Sequence, residues 1–205
     1  CVIANGLTQG EAAAAEPLSV TLHAVRRAGE LLGKKVLITG SGPIGTLCIL
    51  AARAAGAAEI IVTDLSDPAL AYARKVGADR TINVAASADA LDDYHDVLFE
   101  CSGAAPALTA GIATMRPRGV VMQLGLGGDM KLPMMMLTAK ELDLRGSFRF
   151  HEEFAMAVQL MQSGQIDVKP LISHTFAIEQ AVEAFETASD RAQSMKTQIE
   201  FAASA

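Results

Sequence analysis

The chain has 205 residues, of which 51% are hydrophobic, and its formal net charge is -6. This composition supplies one large core, and the acidic balance offers no basic stripe to a nucleic-acid backbone, so we expect no nucleic-acid partner. No apolar run reaches about 18 residues, the length of a membrane-spanning helix, and no signal-like pattern opens the chain, so we expect a cytoplasmic protein with no membrane partner.

Strand-like and helix-like patterns alternate through the middle of the chain, which is typical of βαβ units around a parallel sheet. The predicted strands are residues 35–39, 59–63, 80–84, 96–100, 120–124 and 142–147. Helices are predicted at residues 44–55 and 108–114, and a third is capped by Ser66 and ended by Gly77. Six strands on this plan predict an α/β fold class with a doubly wound, parallel Rossmann sheet.

Helices and strands are also predicted on both sides of this stretch. A helix at residues 17–28 leads into the first strand. After residue 150 we predict helices at 151–163 and 178–189 and strands at 171–175 and 197–201. These flanking segments are too small to form a separate domain, so we interpret them as the edge of a second one.

The first predicted strand is followed by a glycine-rich loop, Gly40 to Gly45, which has the pattern G-x-G-x-x-G at the start of a helix. Gly40 permits a tight turn, Gly42 leaves room for a pyrophosphate to approach the backbone, and Gly45 lets helix and strand pack closely. The helix N-terminus offers free N–H groups to the anion. The loop therefore predicts a dinucleotide-binding site.

Asp64 ends the second predicted strand, where a carboxylate can accept both hydroxyls of the adenosine ribose. The same carboxylate repels a 2′-phosphate, and the three residues that follow it include no Arg to neutralise one. This favours NAD over NADP as the cofactor. The alternative stays open because Arg74 or Lys75 could reach a phosphate.

Small residues follow the fourth and fifth predicted strands, Ser102-Gly103 in one case and Gly125 to Gly128 in the other. Because the carboxyl ends of the strands line the cofactor crevice of such a sheet, we expect these loops to approach the nicotinamide and its ribose. Ordinary turns would give a similar pattern.

Neither the cysteines nor the histidines have the spacing of a metal site. We interpret Cys48 and Cys101 as small core residues, and the run Met134 to Met136 as filling gaps in the core; Cys1 is too far from both to complete a zinc motif. The histidines are expected to be structural or exposed: His23 on the first helix, His95 in a polar loop, His151 at a helix start and His174 on a late strand.

Four segments together resemble the zinc-containing medium-chain alcohol dehydrogenases, and within them the polyol branch: EPLSV at 16–20, GSGPIG at 40–45, TDLS at 63–66 and RGSFRF at 145–150. The resemblance extends from about residue 10 to the C-terminus. It implies an NAD-linked dehydrogenase in which a catalytic zinc polarises the substrate oxygen. The substrate would be a secondary alcohol of a polyol or sugar acid, with oxidation of L-idonate to 5-ketogluconate favoured.

The resemblance also implies roles for individual residues. Glu16 would face the zinc, directly or through its water, and Arg149 would reach substrate oxygens, so these two are the catalytic candidates. The other zinc ligands would lie in an N-terminal domain that this chain lacks. Two departures from the branch are Ala69, where an Arg would stack on adenine, and Phe150, where a Tyr would offer a hydroxyl. The implied cofactor contacts are Gly40, Gly42, Pro43, Ile44, Gly45, Asp64, Ser102, Gly103, Leu124, Gly125, Leu126, Ser147, Phe148 and Arg149.

Three segments follow from this resemblance. Residues 1–28 are expected to lead in from a largely absent, GroES-like catalytic domain, residues 29–150 to form the NAD-binding Rossmann domain, and residues 151–205 to return to the catalytic domain. The predicted edge strand Leu142 to Ser147 would pair with a second copy of the chain in a homodimer or homotetramer, because pairing hides an exposed apolar edge.

Two other functions stay open. One is a zinc-independent quinone or enoyl reductase of the same superfamily; Glu16 argues against it, because a carboxylate aimed at the site has little use without zinc. The other is a non-catalytic NAD-binding module, since no complete acid, base or metal site can be assembled from these residues.

Overall fold

The computed structural model describes residue 2 and residues 4–86 and 94–201. Six parallel strands form the central sheet: β1 (Lys35–Thr39), β2 (Glu59–Asp64), β3 (Arg80–Asn83), β4 (His95–Glu100), β5 (Met115–Gln123) and β6 (Asp143–Gly146). Their order across the sheet is β3-β2-β1-β4-β5-β6. This order confirms the predicted Rossmann sheet.

Helices pack on both faces of this sheet, and a separate pair of parallel strands lies near the C-terminus. The helices are α1 (Gln9–Ala13), α2 (Ala15–Ala28), α3 (Pro43–Ala54), α4 (Asp67–Lys75), α5 (Ala105–Thr114), α6 (Met134–Ala139), α7 (Glu153–Gln162) and α8 (Ala181–Ser189). The separate strands are β7 (Ile172–Ala177) and β8 (Lys196–Glu200), and short 3₁₀ turns cover Lys169–Leu171 and Ile178–Gln180. No helix among the described residues is long and apolar enough to cross a bilayer.

Alternate residues of the central strands enter two hydrophobic cores. In β1, Val36 and Ile38 pack on one face with side chains of α2, α3, α4 and α7. Leu37 points to the other face, where α5 and α6 cover it. Because both faces are covered, the central strands are apolar throughout, which is why their sequences form continuous hydrophobic runs rather than an alternation.

Helix α4 shows how local sequence sets the element boundaries. The Ser66 hydroxyl accepts a hydrogen bond from the Ala69 amide at 3.4 Å, so this residue caps the helix as predicted. Pro68 stands in the first turn, where the missing N–H costs nothing. After the last turn, Gly77 adopts a φ of +101°, which ends the helix.

Two expectations about individual residues are wrong. His95 does not lie in a loop: it begins β4, is fully buried, and its Nδ1 is 3.0 Å from the Thr114 hydroxyl. Met134 and Met135 do not fill the core, because their exposed fractions are 61% and 82%. The short helix α6 turns their side chains towards solvent.

Candidate functional site

The loop between β1 and α3 needs glycine at two positions for packing. Gly40 has a φ of +89°, and a Cβ there would lie 2.8 Å from the Ser102 amide nitrogen. A Cβ on Gly45 would lie 1.8 Å from the Gly40 carbonyl oxygen. The tight turn and the close contact of helix and strand expected at these glycines are therefore both present.

Gly42 is different, because nothing lies within 4 Å of where its Cβ would be. It is the N-cap of α3, and Pro43 follows it in the first turn. The amides of a helix's first turn have no acceptor within the helix, and together with the helix dipole they attract an anion. The open space at Gly42 therefore suits a phosphate group.

Asp64 ends β2 beside this loop and is fixed by two backbone amides. Its Oδ2 accepts a hydrogen bond from the Ser41 amide at 2.6 Å, and its Oδ1 accepts one from the Ser66 amide at 2.9 Å. Arg74 instead donates to the Thr81 hydroxyl, and the Lys75 ammonium lies over the Tyr72 ring. Both cations therefore already have partners within the chain, so neither is held in place to neutralise a phosphate near Asp64.

Glu100, a buried carboxylate that the sequence analysis missed, ends β4. It is fully buried and accepts hydrogen bonds from the amides of Ser102 at 2.8 Å and Gly103 at 3.0 Å, and from the Ser102 hydroxyl. Gln123 on β5 donates to it at 2.7 Å. A buried charge is costly unless donors surround it, so Glu100 holds the loop after β4 against the end of β5.

The loops after β4 and β5 pack against each other at glycine residues, which leave no room for a Cβ. A Cβ on Gly125 would lie 2.1 Å from the Gly103 amide nitrogen and 2.5 Å from a Glu100 carboxylate oxygen. A Cβ on Gly127 would lie 1.7 Å from the Gly103 carbonyl oxygen. The structure therefore brings together the two small-residue loops that the sequence placed at the cofactor crevice.

A pocket of about 490 Å³ opens where β5 and β6 end. Its lining includes five of the expected cofactor contacts: Leu124, Gly125, Leu126, Ser147 and Phe148. It also includes five residues that the sequence analysis did not assign to a site: His23, Arg27, Gln123, Gly146 and His151. Two of these residues carry buried side-chain oxygens, Gln123 Oε1 and Ser147 Oγ, that have no hydrogen-bond partner in the described part of the chain.

A cluster of charged groups lies behind the pocket and joins α2 to α7. Glu153 is buried. Its carboxylate accepts a hydrogen bond from Arg26 at 2.8 Å and another from the His151 amide at 2.8 Å. His23 Nδ1 lies 3.2 Å from Glu153 Oε1, close enough for an ion pair when the ring is protonated but outside hydrogen-bond geometry. Burial alone raises the pKa of Glu153, but the backbone amides and the His23 ring outweigh it and lower the pKa to about 2.

Cys48 and Cys101 meet behind the glycine loop, with their sulfur atoms 3.8 Å apart. Cys48 is fully buried, as expected for a core residue, and Cys101 is half-buried. The contact with Cys48, together with burial of the sulfur, raises the pKa of the Cys101 thiol well above its ordinary value. Cys101 therefore stays a protonated thiol near neutral pH; Cys1 lies outside the described residues.

The two catalytic candidates are both exposed. Glu16 stands in the first turn of α2. Arg149 follows β6 with a φ of +56°, and its guanidinium lies 5.4 Å from the centre of the Phe148 ring. Within residues 4–86 and 94–201, no three His, Cys, Asp or Glu side chains are arranged to hold a metal ion. Glu16 alone does not make a zinc site.

Comparison with known proteins agrees with this geometry. Residues 43–163 match the family model described as zinc-binding dehydrogenase. Sorbitol dehydrogenase of Macaca fascicularis is 38% identical over 193 residues, which is 89% of this chain and 54% of that protein. L-idonate 5-dehydrogenase (NAD(P)(+)) of Escherichia coli K12 is 42% identical over 194 residues, which is 91% of this chain and 56% of that protein.

The crystal structure of L-idonate 5-dehydrogenase from Escherichia coli superposes on the chain with a TM-score of 0.91 at 40% identity, covering 96% of this chain and 58% of that one. The chain thus spans little more than half the length of the relatives it matches. The family model covers most of the sheet, and the relatives are similar along nearly the whole chain. This protein belongs to the zinc-binding dehydrogenase family.

Proposed function

We propose that this chain is the NAD-binding part of a dehydrogenase that oxidises a secondary alcohol of a polyol or sugar acid, with L-idonate as the favoured substrate. The observation that carries the proposal is the position of Asp64, bonded to the glycine loop beside the open N-terminus of α3. The relatives named sorbitol dehydrogenase and L-idonate 5-dehydrogenase support the substrate class.

Three parts of NAD would each have a group of this chain to hold them. The first-turn amides of α3, above Gly42, would bind the pyrophosphate. Asp64 would accept hydrogen bonds from the adenosine ribose hydroxyls. The pocket beyond Leu124 and Ser147 would hold the nicotinamide, which would supply the hydride acceptor for oxidation of the alcohol.

The described residues do not by themselves fit the zinc that the family name implies. Glu16 and Arg149 are the groups that we propose for the substrate side of the site, Glu16 as a carboxylate near the metal of the complete protein and Arg149 as a cation for substrate oxygens.

The proposed preference for NAD rests on charge. The Asp64 carboxylate would repel the 2′-phosphate of NADP, and the two nearby cations contact Thr81 and Tyr72 instead. The relative from Escherichia coli carries a name that covers both cofactors, so this preference needs its own test.

Fluorescence titration of this chain with NADH and NADPH tests the cofactor proposal. We expect NADH to bind at least about tenfold more tightly than NADPH, and Asp64→Ala to weaken NADH by about tenfold while binding NADPH more tightly than the wild type does, because the repulsion of the 2′-phosphate is removed. Glu186→Gln, which removes one exposed carboxylate from α8, serves as the control with the same change in charge. Tighter binding of NADPH, or an Asp64→Ala variant that binds NADH as the wild type does, would contradict the proposal.

The substrate is tested on the full gene product, with metal analysis and with NADH formation as the readout. We expect zinc-dependent oxidation of L-idonate, with sorbitol as the comparison substrate. Reduction of a quinone without zinc would support the reductase alternative. The other alternative is a non-catalytic module, which the incomplete set of metal ligands among the described residues favours. NAD binding without any turnover would support this module.

A further inference from the structure

Cys48 and Cys101 bring two thiols from different elements into contact. Cys48 lies in the second turn of α3, and Cys101 directly follows β4. Their sulfur atoms are 3.8 Å apart. The sulfur atoms of a disulfide are about 2.05 Å apart, so a small approach of the two elements would allow this bond to form.

Cys101 is the thiol of this pair that an oxidant would reach first. It is half-buried, whereas Cys48 is fully buried. Contact with Cys48 and burial of the sulfur raise the pKa of the Cys101 thiol, so little thiolate is present near neutral pH and oxidation is slow. Once Cys101 is oxidised, Cys48 is already beside it as the thiol that completes a disulfide.

The sheet holds Cys101 in place. Its amide donates to the Thr39 carbonyl oxygen at 2.8 Å, which ties it to the end of β1. The preceding residue, Glu100, is fully buried and accepts hydrogen bonds from the amides of Ser102 and Gly103. Because this side of the pair is fixed, the approach of the two sulfur atoms must come mainly from α3.

A movement of α3 would also move the glycine loop. Gly45, one turn before Cys48, packs directly on this loop, because a Cβ on it would lie 1.8 Å from the Gly40 carbonyl oxygen. The Thr46 hydroxyl and amide both donate to the Gly42 carbonyl oxygen, at 2.8 and 2.9 Å. A shift of α3 that closes the disulfide would therefore displace the first-turn amides that we propose for the pyrophosphate.

We propose that Cys48 and Cys101 form a redox site, which hydrogen peroxide converts into an internal disulfide, and that this disulfide weakens binding of the dinucleotide. The effect on binding rests on the proposed function, whereas formation of the disulfide does not.

The oxidation has two steps. The Cys101 thiolate attacks one peroxide oxygen and the O–O bond breaks, so that Cys101 becomes a sulfenic acid and the departing hydroxide takes up the proton that the thiol had lost. Cys48 then attacks the Cys101 sulfur, the S–O bond breaks, and hydroxide leaves with the proton of the Cys48 thiol as water. In total the two thiols lose two electrons and two protons, and peroxide is reduced to two water molecules.

Thiol counting and calorimetric titration test the inference. The chain contains three cysteines, so alkylation after unfolding should label three thiols in the reduced chain and only one after peroxide treatment, with the disulfide found between the peptides of Cys48 and Cys101. The oxidised chain should bind ADP-ribose about tenfold more weakly than the reduced chain, and dithiothreitol should restore the affinity. This reversal separates the disulfide from methionine oxidation, because dithiothreitol does not reduce methionine sulfoxide.

Two variants locate the effect. Cys48→Ala should bind ADP-ribose as the reduced wild type does and show no reversible loss of affinity after peroxide. Cys1→Ser, which removes the third thiol, should respond as the wild type does.

Three labelled thiols after peroxide treatment, or a disulfide between Cys48 and Cys101 with unchanged affinity for ADP-ribose, would overturn the inference. Both results are read on the wild type, so they decide the question even where Cys48→Ala fails to fold. A reduced wild type that binds no ADP-ribose would instead refute the proposed function, and the thiol count would still test whether the disulfide forms.

Discussion

Gly42 and Gly45 lie in the same loop, but the structure constrains them in different ways. A Cβ on Gly45 would overlap the Gly40 carbonyl oxygen, whereas a Cβ on Gly42 would meet nothing within 4 Å. The φ of Gly42 is -71°, a value that any residue adopts. Gly45 is therefore required by the fold, while Gly42 is required only if a ligand occupies the space above it.

Two alanine substitutions separate these requirements. Gly42→Ala should leave the melting temperature unchanged and weaken NADH binding at least about tenfold, because its methyl group would occupy the phosphate space. Gly45→Ala should lower the free energy of unfolding by roughly 3 kcal/mol, because α3 must move away from the loop. Thermal melting and NADH fluorescence measure the two effects. A Gly42→Ala variant that binds NADH normally would show that no phosphate lies there.

The glycine loop and Asp64 could be predicted because short-range sequence defines them: a strand, a turn and a helix follow one another directly. Glu100 and Gln123 could not be found in this way. Each ends an apolar run and looks like a strand terminus facing solvent, and they meet only because β4 and β5 are neighbours in the sheet. The same holds for His23, which reaches the pocket from α2.

Helices α2 and α7 are joined by buried charge as well as by hydrophobic contact. Glu153 on α7 pairs with Arg26 and lies beside His23, both on α2. The lowered pKa of Glu153 means that folding favours its ionised form. Its contribution to stability is fully present above its ordinary pKa of 4.5 and is lost as the pH falls towards about 2.

Acid titration of stability tests this link between the helices. We expect the melting temperature of the wild type to fall steeply below pH 4.5, and Glu153→Gln to be less stable at neutral pH by roughly 1 to 3 kcal/mol but to lose less on acidification. The matched control is Glu152→Gln, whose exposed carboxylate also pairs with Arg26; it should change stability by less than about 0.5 kcal/mol. If Glu153→Gln shows the same acid sensitivity as the wild type, Glu153 is not the group that titrates.

The apolar strands β1, β2 and β4 could be predicted almost to the residue, because burial on both faces produces continuous hydrophobic runs. The start of β5 could not be predicted, because the residues Arg116 to Gly119 have the composition of a turn. In the structure, Met115 and Val120 on either side of this stretch pair with His95 and Val97 of β4 across a register shift, and Arg118 takes a φ of +65°. Helices α1 and α6, with 5 and 6 residues, are too short to show a helical period.

At the scale of the whole molecule, β6 ends the described sheet and pairs only with β5. Leu144 on this strand is 40% exposed, and Met134 and Met135 of α6 are exposed as well. An unpaired edge with exposed apolar side chains favours association with another chain. This supports the proposed pairing of two copies through the edge strand.

Light scattering coupled to size-exclusion chromatography tests that pairing. We expect the wild type to be a dimer or tetramer and Leu144→Arg to shift it towards the monomer, because a charge would be buried at the contact. Leu32→Arg, which changes an exposed leucine before β1, is the control and should leave the assembly unchanged. A monomeric wild type, or a Leu144→Arg variant with the wild-type mass, would rule out pairing through β6.

The division into domains stays a prediction. Strands β7 and β8 form a sheet of their own, apart from the Rossmann sheet, and Val182, Phe185 and Phe201 near them are exposed. The chain also spans little more than half the length of its relatives. The separate sheet supports the interpretation of the residues around β7 and β8 as part of a second domain, whereas α2 and α7 pack with β1 in the core of the Rossmann sheet.

A crystal structure of this chain with NAD⁺ bound tests the dinucleotide site most directly. We expect the pyrophosphate at the N-terminus of α3 above Gly42 and the adenosine ribose on Asp64. A pyrophosphate bound away from the glycine loop, or a ribose with no contact to Asp64, would contradict the proposed site.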